Sequence, residues 1–305
     1  MNKYAYFLFV LVLLISCGNP NSREQNIGEL IINSDLNITL DTVLNNLNEP
    51  DDVYVSGQSI YYSVKNNEAK GDEGAYNIMA FDEATQKSRV VYTSNTRPFG
   101  LIVNDSCMFI TSREDEQPTD NAQLLMYNFK NKQLTHITDS LAEPFDIDTD
   151  KDGNIYVGAI IKDNERSPLV KYKAPEYIEY DRELDGHGEI LSFDYGNDFI
   201  WFSNAGGIAK TQDRSTWSVS FINGVTGLLV TQNYIYYTKY EYNLLGRIDM
   251  FTGENEVLLE NVLRPYKMTY SDKDNALYLI VNDNAKEHTS KLLKLVVEND
   301  LANLY

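Results

Sequence analysis

The sequence predicts an all-β chain folded as a six-bladed β-propeller of four-stranded blades, and three observations predict it. Six segments open with similar short strands, and a polar turn follows each of them. The strand after that turn carries an aromatic residue at the same place in every copy, in a chain only 12% aromatic. Further strands bring each repeat to four, with no convincing amphipathic helix between them, which is the pattern of propeller blades.

Near its start the sequence has Lys3 and an apolar run from Tyr4 to Ile15, broken by Ser16 before Cys17. Such a run of about 12 residues is short for a hydrocarbon core of ~30 Å and is flanked like a secretory signal. Leu14-Ile15-Ser16-Cys17-Gly18 resembles the lipobox of bacterial lipoproteins, which implies cleavage after Ser16 and acylation of Cys17. Residues 1–16 are therefore expected to be a signal peptide. Residues 17–29 follow as a lipidated cysteine and a polar, aperiodic tether. Gly18 at the second mature position is similar to lipoproteins routed to the outer membrane of Gram-negative bacteria, so the expected location is the cell envelope.

The propeller is expected over residues 30–305. Its opening strands are Glu49–Val55, Arg97–Val103, Glu143–Thr149, Gly188–Asp194, Gly224–Val230 and Arg264–Tyr270, with starts separated by 48, 46, 45, 36 and 40 residues. The aromatic in the second strand is Tyr61, Phe109, Tyr156, Trp201, Tyr236 and Tyr278 in turn. Third strands are exemplified by Asn77–Phe81, Leu124–Phe129, Gly246–Phe251 and Leu292–Val297. Fourth strands are read at Arg89–Tyr92, Leu134–Ile137, Ile178–Tyr180, Trp217–Phe221 and Val257–Leu259. The sixth copy lacks a clear fourth strand, whereas Asn37–Leu44 is an extra strand before the first copy. Pairing the two closes the ring and removes an open sheet edge.

With 45 acidic and 26 basic side chains the formal charge is −19, which repels phosphate backbones and disfavours nucleic acid as a partner. Of the two cysteines, acylation of Cys17 would leave Cys107 alone in an apolar strand, where a thiol behaves as a small buried hydrophobe.

Two family resemblances are carried by particular copies. Tyr234-Ile-Tyr-Tyr-Thr-Lys239, Gly246-Arg-Ile-Asp-Met-Phe-Thr-Gly253 and Val257–Pro265 resemble the YWTD repeats of low-density-lipoprotein-receptor-type propellers, with Tyr237 at the motif's Trp and Lys239 at its Asp. That resemblance implies a protein-binding or spacer role without catalysis. Glu143–Val157 and Glu49-Pro50 are similar to blade openings of the senescence-marker/gluconolactonase propellers, which implies a divalent metal such as calcium held in the central channel. In that family Asn and Asp ligands come from the position after the Pro. Here that position reads Asp51, Phe99, Phe145, Ile190, Thr226 and Tyr266, so only Glu49 and Asp51 carry over, fewer oxygens than Ca²⁺ takes.

In a propeller the starts of the innermost strands line the channel mouth. The candidate ligand-binding residues there are Glu49, Asp51, Asp52, Arg97, Phe99, Glu143, Phe145, Asp146, His187, Glu189, Arg264 and Tyr266, with Lys267 beside them. Their charges alternate in sign and aromatics stand between them. Such a ring is either an ion-pair network that plugs the channel or a pocket for a polar ligand with an apolar face, such as a sugar or peptide. His187 in Asp185-Gly-His-Gly-Glu189 is either a loop residue or a general base. Asn204-Ala-Gly-Gly-Ile208 reads as a tight turn, since no helix follows to hold a phosphate. His136 and His288 have no partners at metal-ligand spacing, and no nucleophile motif is present. The expected function is a lipid-anchored propeller that binds a protein, peptide or glycan without catalysis and without a cofactor. The alternative is a metal-dependent hydrolase or lactonase using Glu49 with Asp51, Asp146 or Glu189.

Overall fold

Short turns whose residues accept a left-handed backbone set the hairpins of this fold. Asn197 and Asp198 join two strands in a two-residue loop with φ of 54° and 64°. Positive φ at both central residues is the type I′ geometry, whose twist matches that of the flanking strands. Ala205-Gly206 closes a second two-residue loop, where the Gly206 N–H donates to Asn204 Oδ1 at 2.8 Å. That segment is the tight turn its composition predicts.

The computed structural model describes residues 29–69, 74–113, 122–161, 169–183, 190–212, 215–284 and 289–298, except the side chains of 139–140, 142–143, 159–161, 180–183 and 283–284. Two strands precede the repeats, β1 (Ile31–Ile32) and β2 (Ile38–Asn48). Blade 1 is β3 (Val53–Ser56), β4 (Ser59–Lys65), β5 (Tyr76–Asp82) and β6 (Lys87–Ser94). Blade 2 is β7 (Arg97–Val103), β8 (Cys107–Arg113), β9 (Ala122–Asn128) and the first part of β10 (Leu134–Thr149). Blade 3 takes the rest of β10 with β11 (Ile155–Ile161), β12 (Leu169–Lys173) and β13 (Ile178–Glu183). Blade 4 is β14 (Ser192–Gly196), β15 (Phe199–Asn204), β16 (Gly207–Gln212) and β17 (Ser215–Ser220). Blade 5 is β18 (Gly227–Val230), β19 (Tyr234–Lys239), β20 (Leu244–Asp249) and β21 (Asn255–Glu260). Blade 6 is β22 (Met268–Ser271), β23 (Ala276–Asn284) and β24 (Thr289–Val297), completed by β2.

All pairings are antiparallel, and β2 lies against β24 as the outer strand of the last blade. The N-terminal strand thus closes the ring as its sequence predicts. Three features depart from expectation. β10 is one continuous strand of 16 residues, passing from the rim of blade 2 to the axis of blade 3 through bulges that bend it without ending it. β1 adds a fifth strand to blade 5, pairing Ile31 with Glu260.

The third departure is one of register. Tyr54, Ile102, Asp148, Asp194, Leu229 and Thr269 pair with the six repeat aromatics, from Tyr61 to Tyr278. Two residues earlier stand Asp52, Gly100, Asp146, Ser192, Gly227 and Lys267. The fourth repeat therefore starts at Glu189 rather than Gly188, and Leu191 rather than Ile190 occupies the position after the Pro. Ile190 stands instead with Pro50, Pro98, Pro144, Val225 and Pro265, and it is buried.

The core is divided by blade interface. Six apolar clusters each join two neighbouring blades, such as Phe109, Leu124, Ile147 and Val157 between blades 2 and 3. Cys107 is a buried free thiol in the same cluster. Three repeat aromatics also carry a lysine from the third strand over the ring, at 4.9 Å for Lys171 on Tyr156, 4.9 Å for Lys210 on Trp201 and 5.1 Å for Lys294 on Tyr278.

Candidate binding site at the channel mouth

The innermost strand of each blade has no strand on its axial edge, so some of its N–H groups need acceptors from elsewhere. Side chains of the preceding blade supply them. Asp52 Oδ2 accepts from the Leu101 N–H at 2.6 Å and its Oδ1 from Val53 at 2.9 Å. Asp148 accepts from Tyr195 N–H, and Asp194 accepts from Val230 N–H at 2.6 Å. Ser192 Oγ takes the Leu228 N–H at 3.0 Å, and Thr269 Oγ1 takes that of Val55 at 3.4 Å. The junctions between blades 2 and 3 and between 5 and 6 have glycine in place of the latch. A Cβ at Gly100 would stand 2.5 Å from Ile147 Cγ2, and one at Gly227 would stand 2.4 Å from the Tyr266 carbonyl oxygen. Each junction is closed by a polar latch or by direct approach.

Lys267 closes the channel itself. Its ammonium reaches from blade 6 to blade 3, donating to Asp146 Oδ1 at 2.7 Å and to the Phe145 carbonyl at 3.0 Å. Asp146 Oδ2 meanwhile accepts from Ser192 Oγ at 3.1 Å. Beneath this bolt a cavity of about 70 Å³ remains, lined by Asp52, Tyr54, Asp146, Asp148, Asp194 and Thr269 among others. That holds a few waters, whereas pockets for small organic ligands run to ~300–1,000 Å³.

Burial governs the charges inside. It pushes the Asp52 carboxyl up to about 7, Lys267 pulling it down and Asp146 adding to the rise. Asp148 is raised by burial to about 6, against the pull of the Tyr195 and Thr149 N–H groups. Asp194 is raised well above the carboxylate range by burial and by the Asp148 charge, and the two carboxyls share a hydrogen bond. Burial works against the Lys267 ammonium, but Asp146 and Asp52 hold it above the ordinary lysine range. Asp52, Asp148 and Asp194 thus hold their protons more tightly than an exposed aspartate does.

Above the bolt lies the mouth. Arg97 binds both carboxylate oxygens of Asp51, at 2.8 to 3.1 Å, so the two opposite charges of the expected ring do meet across blades 1 and 2. Glu49 instead pairs with Lys65 of its own blade at 3.2 Å. The Phe99 ring carries two guanidinium groups, Arg97 at 5.3 Å and Arg113 at 4.6 Å from its centroid. The Tyr266 hydroxyl donates to the Pro50 carbonyl, and its ring meets Tyr240 edge-on at 6.5 Å. Arg264 stands 5.6 Å over Tyr240, and Lys239 stands 4.3 Å over Tyr242. Phe145 fills the space over Gly158, where a Cβ would meet its ring at 2.4 Å.

The geometry sorts the sequence candidates. Asp51, Arg97, Phe99, Tyr266 and Arg264 form one contiguous band, Asp52, Asp146 and Lys267 lie below it in the plug, and Phe145 packs between blades 3 and 4. His187, Glu189 and the Glu143 side chain lie outside the described residues. Asp148, Asp194, Arg113, Lys239, Tyr240 and Tyr242 escaped the sequence reading. The first two sit two residues deeper than Asp146 and Ser192, and the others end second strands or follow them. Among the described residues no group of three or more His, Cys, Asp or Glu is placed to hold a metal ion. The latching carboxylates give their oxygens to N–H donors, so this shell does not fit a calcium ion.

No family model matches the chain, and no curated protein matches it either. Solved structures do. A gluconolactonase from Xanthomonas campestris superposes with a TM-score of 0.64 at 10% identity, over 88% of this chain and 96% of that one. An auxiliary nutrient binding protein from Bacteroides ovatus gives 0.62 at 10% identity, over 86% and 77%. A chain of a nidogen/laminin complex gives 0.55 at 13% identity, over 72% and 83%. At such identities the likeness establishes the propeller fold alone.

Proposed function

We propose that this chain is an exported propeller, anchored in the cell envelope through a lipid on Cys17, that binds a ligand at the channel mouth and catalyses no reaction. The observation that carries the reading is Lys267 bolted across the channel beneath an open band of guanidinium and aromatic groups. A channel so filled offers a ligand its rim rather than its interior. The resemblance of blade 5 to non-enzymatic YWTD repeats supports the same reading, as does the nutrient-binding function named for one structural neighbour. The lipobox around Cys17 supports the anchor. A protein, peptide or glycan is the class of ligand such a rim accepts.

The test uses the full chain in detergent on arrays of glycans and peptides, beside a Phe99→Ala, Tyr266→Ala variant with an unchanged thermal midpoint. Binders that disappear in the variant, without turnover of lactones or esters in either protein, are the expected result. Turnover that needs an added divalent cation and is lost in Glu49→Ala, Asp146→Ala would replace this reading with a metal-dependent hydrolase. Incorporation of labelled palmitate that is abolished in Cys17→Ala checks the anchor.

A further inference from the structure

We propose that the ligand of this mouth is an acidic oligosaccharide, whose sugar carboxylates are held by Arg113 and Arg264; the proposal rests on the reading of the mouth as a binding site. The chain is strongly acidic, and several of its cations are spent on carboxylates, as with Lys65, Arg97, Lys171, Arg247, Lys267 and Lys294. Arg113, Arg264 and Lys239 have no carboxylate partner among the described residues. Each rests on a ring instead, on Phe99, Tyr240 and Tyr242 respectively. A ring orients a cation without neutralising it, so the charge stays available to an incoming anion. A guanidinium placed over a ring keeps its donors as a fork that matches a carboxylate.

These two guanidinium groups, without a carboxylate partner among the described residues, stand at opposite ends of one chain of contacts. It runs from Arg113 through Phe99 and Arg97 to Asp51, then from the adjacent Pro50 carbonyl through Tyr266 and Tyr240 to Arg264. It crosses the starts of the inner strands of blades 2, 1 and 6 and reaches the turn at the end of β19. A ligand that engages both ends is extended and carries anionic groups at intervals.

A glycan fits better than a peptide. A peptide that docks by adding a strand pairs its backbone with free strand N–H groups, and here the inner-strand donors at Leu101, Leu228 and Val230 are taken by Asp52, Ser192 and Asp194. A sugar needs only side-chain donors and an open ring face. Tyr242 offers an aromatic surface that is 67% exposed, with the Lys239 ammonium over one face of the ring.

The test is isothermal titration of the full chain in detergent with galacturonic acid oligomers of three to six units. The controls are the same oligomers with their carboxyls reduced to alcohols and a short polyglutamate. The expected result is binding of the acidic oligomer alone, weakened at least tenfold in Arg113→Gln and in Arg264→Gln and unchanged in Lys210→Gln. Lys210 is likewise a cation on an aromatic ring, but on the flank of blade 4. Equal affinity for the reduced oligomer would overturn the acidic class while leaving a glycan-binding mouth intact. Preference for polyglutamate would assign the mouth to an acidic peptide, and no binding of any probe would overturn the proposal. The array result with Phe99→Ala, Tyr266→Ala separates failure of the ligand class from failure of the mouth as a binding site.

Discussion

Asp52 shows how much one side chain carries at the axis. It satisfies the N–H groups of Val53 and Leu101, which are buried and have no strand neighbour to turn to. Asp52→Ala strands both donors and is expected to cost ~1–3 kcal/mol in urea unfolding, with Asp52→Asn recovering part because one oxygen remains. The raised carboxyls also set a pH dependence. Asp52 at about 7 and Asp148 at about 6 hold their protons more tightly in the folded chain than an ordinary aspartate near ~4 does in the unfolded one. The folded state therefore binds more protons across that interval, and its stability falls as pH rises from about 4 through 7. Asp150 runs the other way, since hydrogen bonds from Asn154 overcome its burial and hold it below the usual range, but its effect lies below that window. The thermal midpoint is expected to drop by a few degrees between pH 5 and pH 8. In Asp148→Asn, Asp194→Asn that slope flattens; a slope unchanged by the double variant would show that the pair does not titrate there. Asp52, Asp146 and Lys267 were legible in the sequence because they sit where the repeat begins. Asp148 and Asp194 were not, because an aspartate in a strand reads as an outward residue until the axial edge is seen to need acceptors.

At the level of strands and junctions, the repeat was legible because its aromatics keep register against the inner strand in all six blades. The slip in the fourth copy has a local cause. Four copies mark their start with proline, at Pro50, Pro98, Pro144 and Pro265, whereas Ile190 and Val225 fill that place in the other two. A shift of one residue exchanges the two faces of a strand, so the slip moved Ile190 into a channel position that Leu191 holds. The continuous β10 was hidden for a different reason, since bulges rather than turn residues bend it between blades. The glycine junctions give a test of packing. A Cβ at Gly227 meets the Tyr266 backbone, which cannot rotate away, whereas one at Gly100 meets the movable side chains of Ile147 and Thr111. Gly227→Ala is expected to destabilise by ~2–3 kcal/mol and Gly100→Ala by less, judged by their urea midpoints. The reverse order would mean that the junction between blades 5 and 6 is the softer one.

Across the whole molecule, the direction of the N-terminal segment sets the side on which the proposed lipid anchor would lie. β21 runs toward the mouth and β1 lies antiparallel to it, so the chain enters β1 from the mouth side, where the Glu29 carbonyl accepts from Asn261 Nδ2 at 3.1 Å. With a lipid on Cys17, the dozen residues before Glu29 span at most ~40 Å even when fully extended. On the proposed anchor, the mouth is expected to face the bilayer and the turns at the far end of the blades to face away from it. The arrangement is measurable with the full chain reconstituted in vesicles that contain a lipid quencher. A fluorophore on Tyr242→Cys marks the mouth and one on Asn131→Cys marks the far end, while the buried Cys107 thiol stays unlabelled. The expected outcome is several-fold stronger quenching at 242 than at 131. Equal quenching would show that the tether lets the propeller tumble, in which case the path of β1 fixes where the chain leaves the domain but not which way the mouth points.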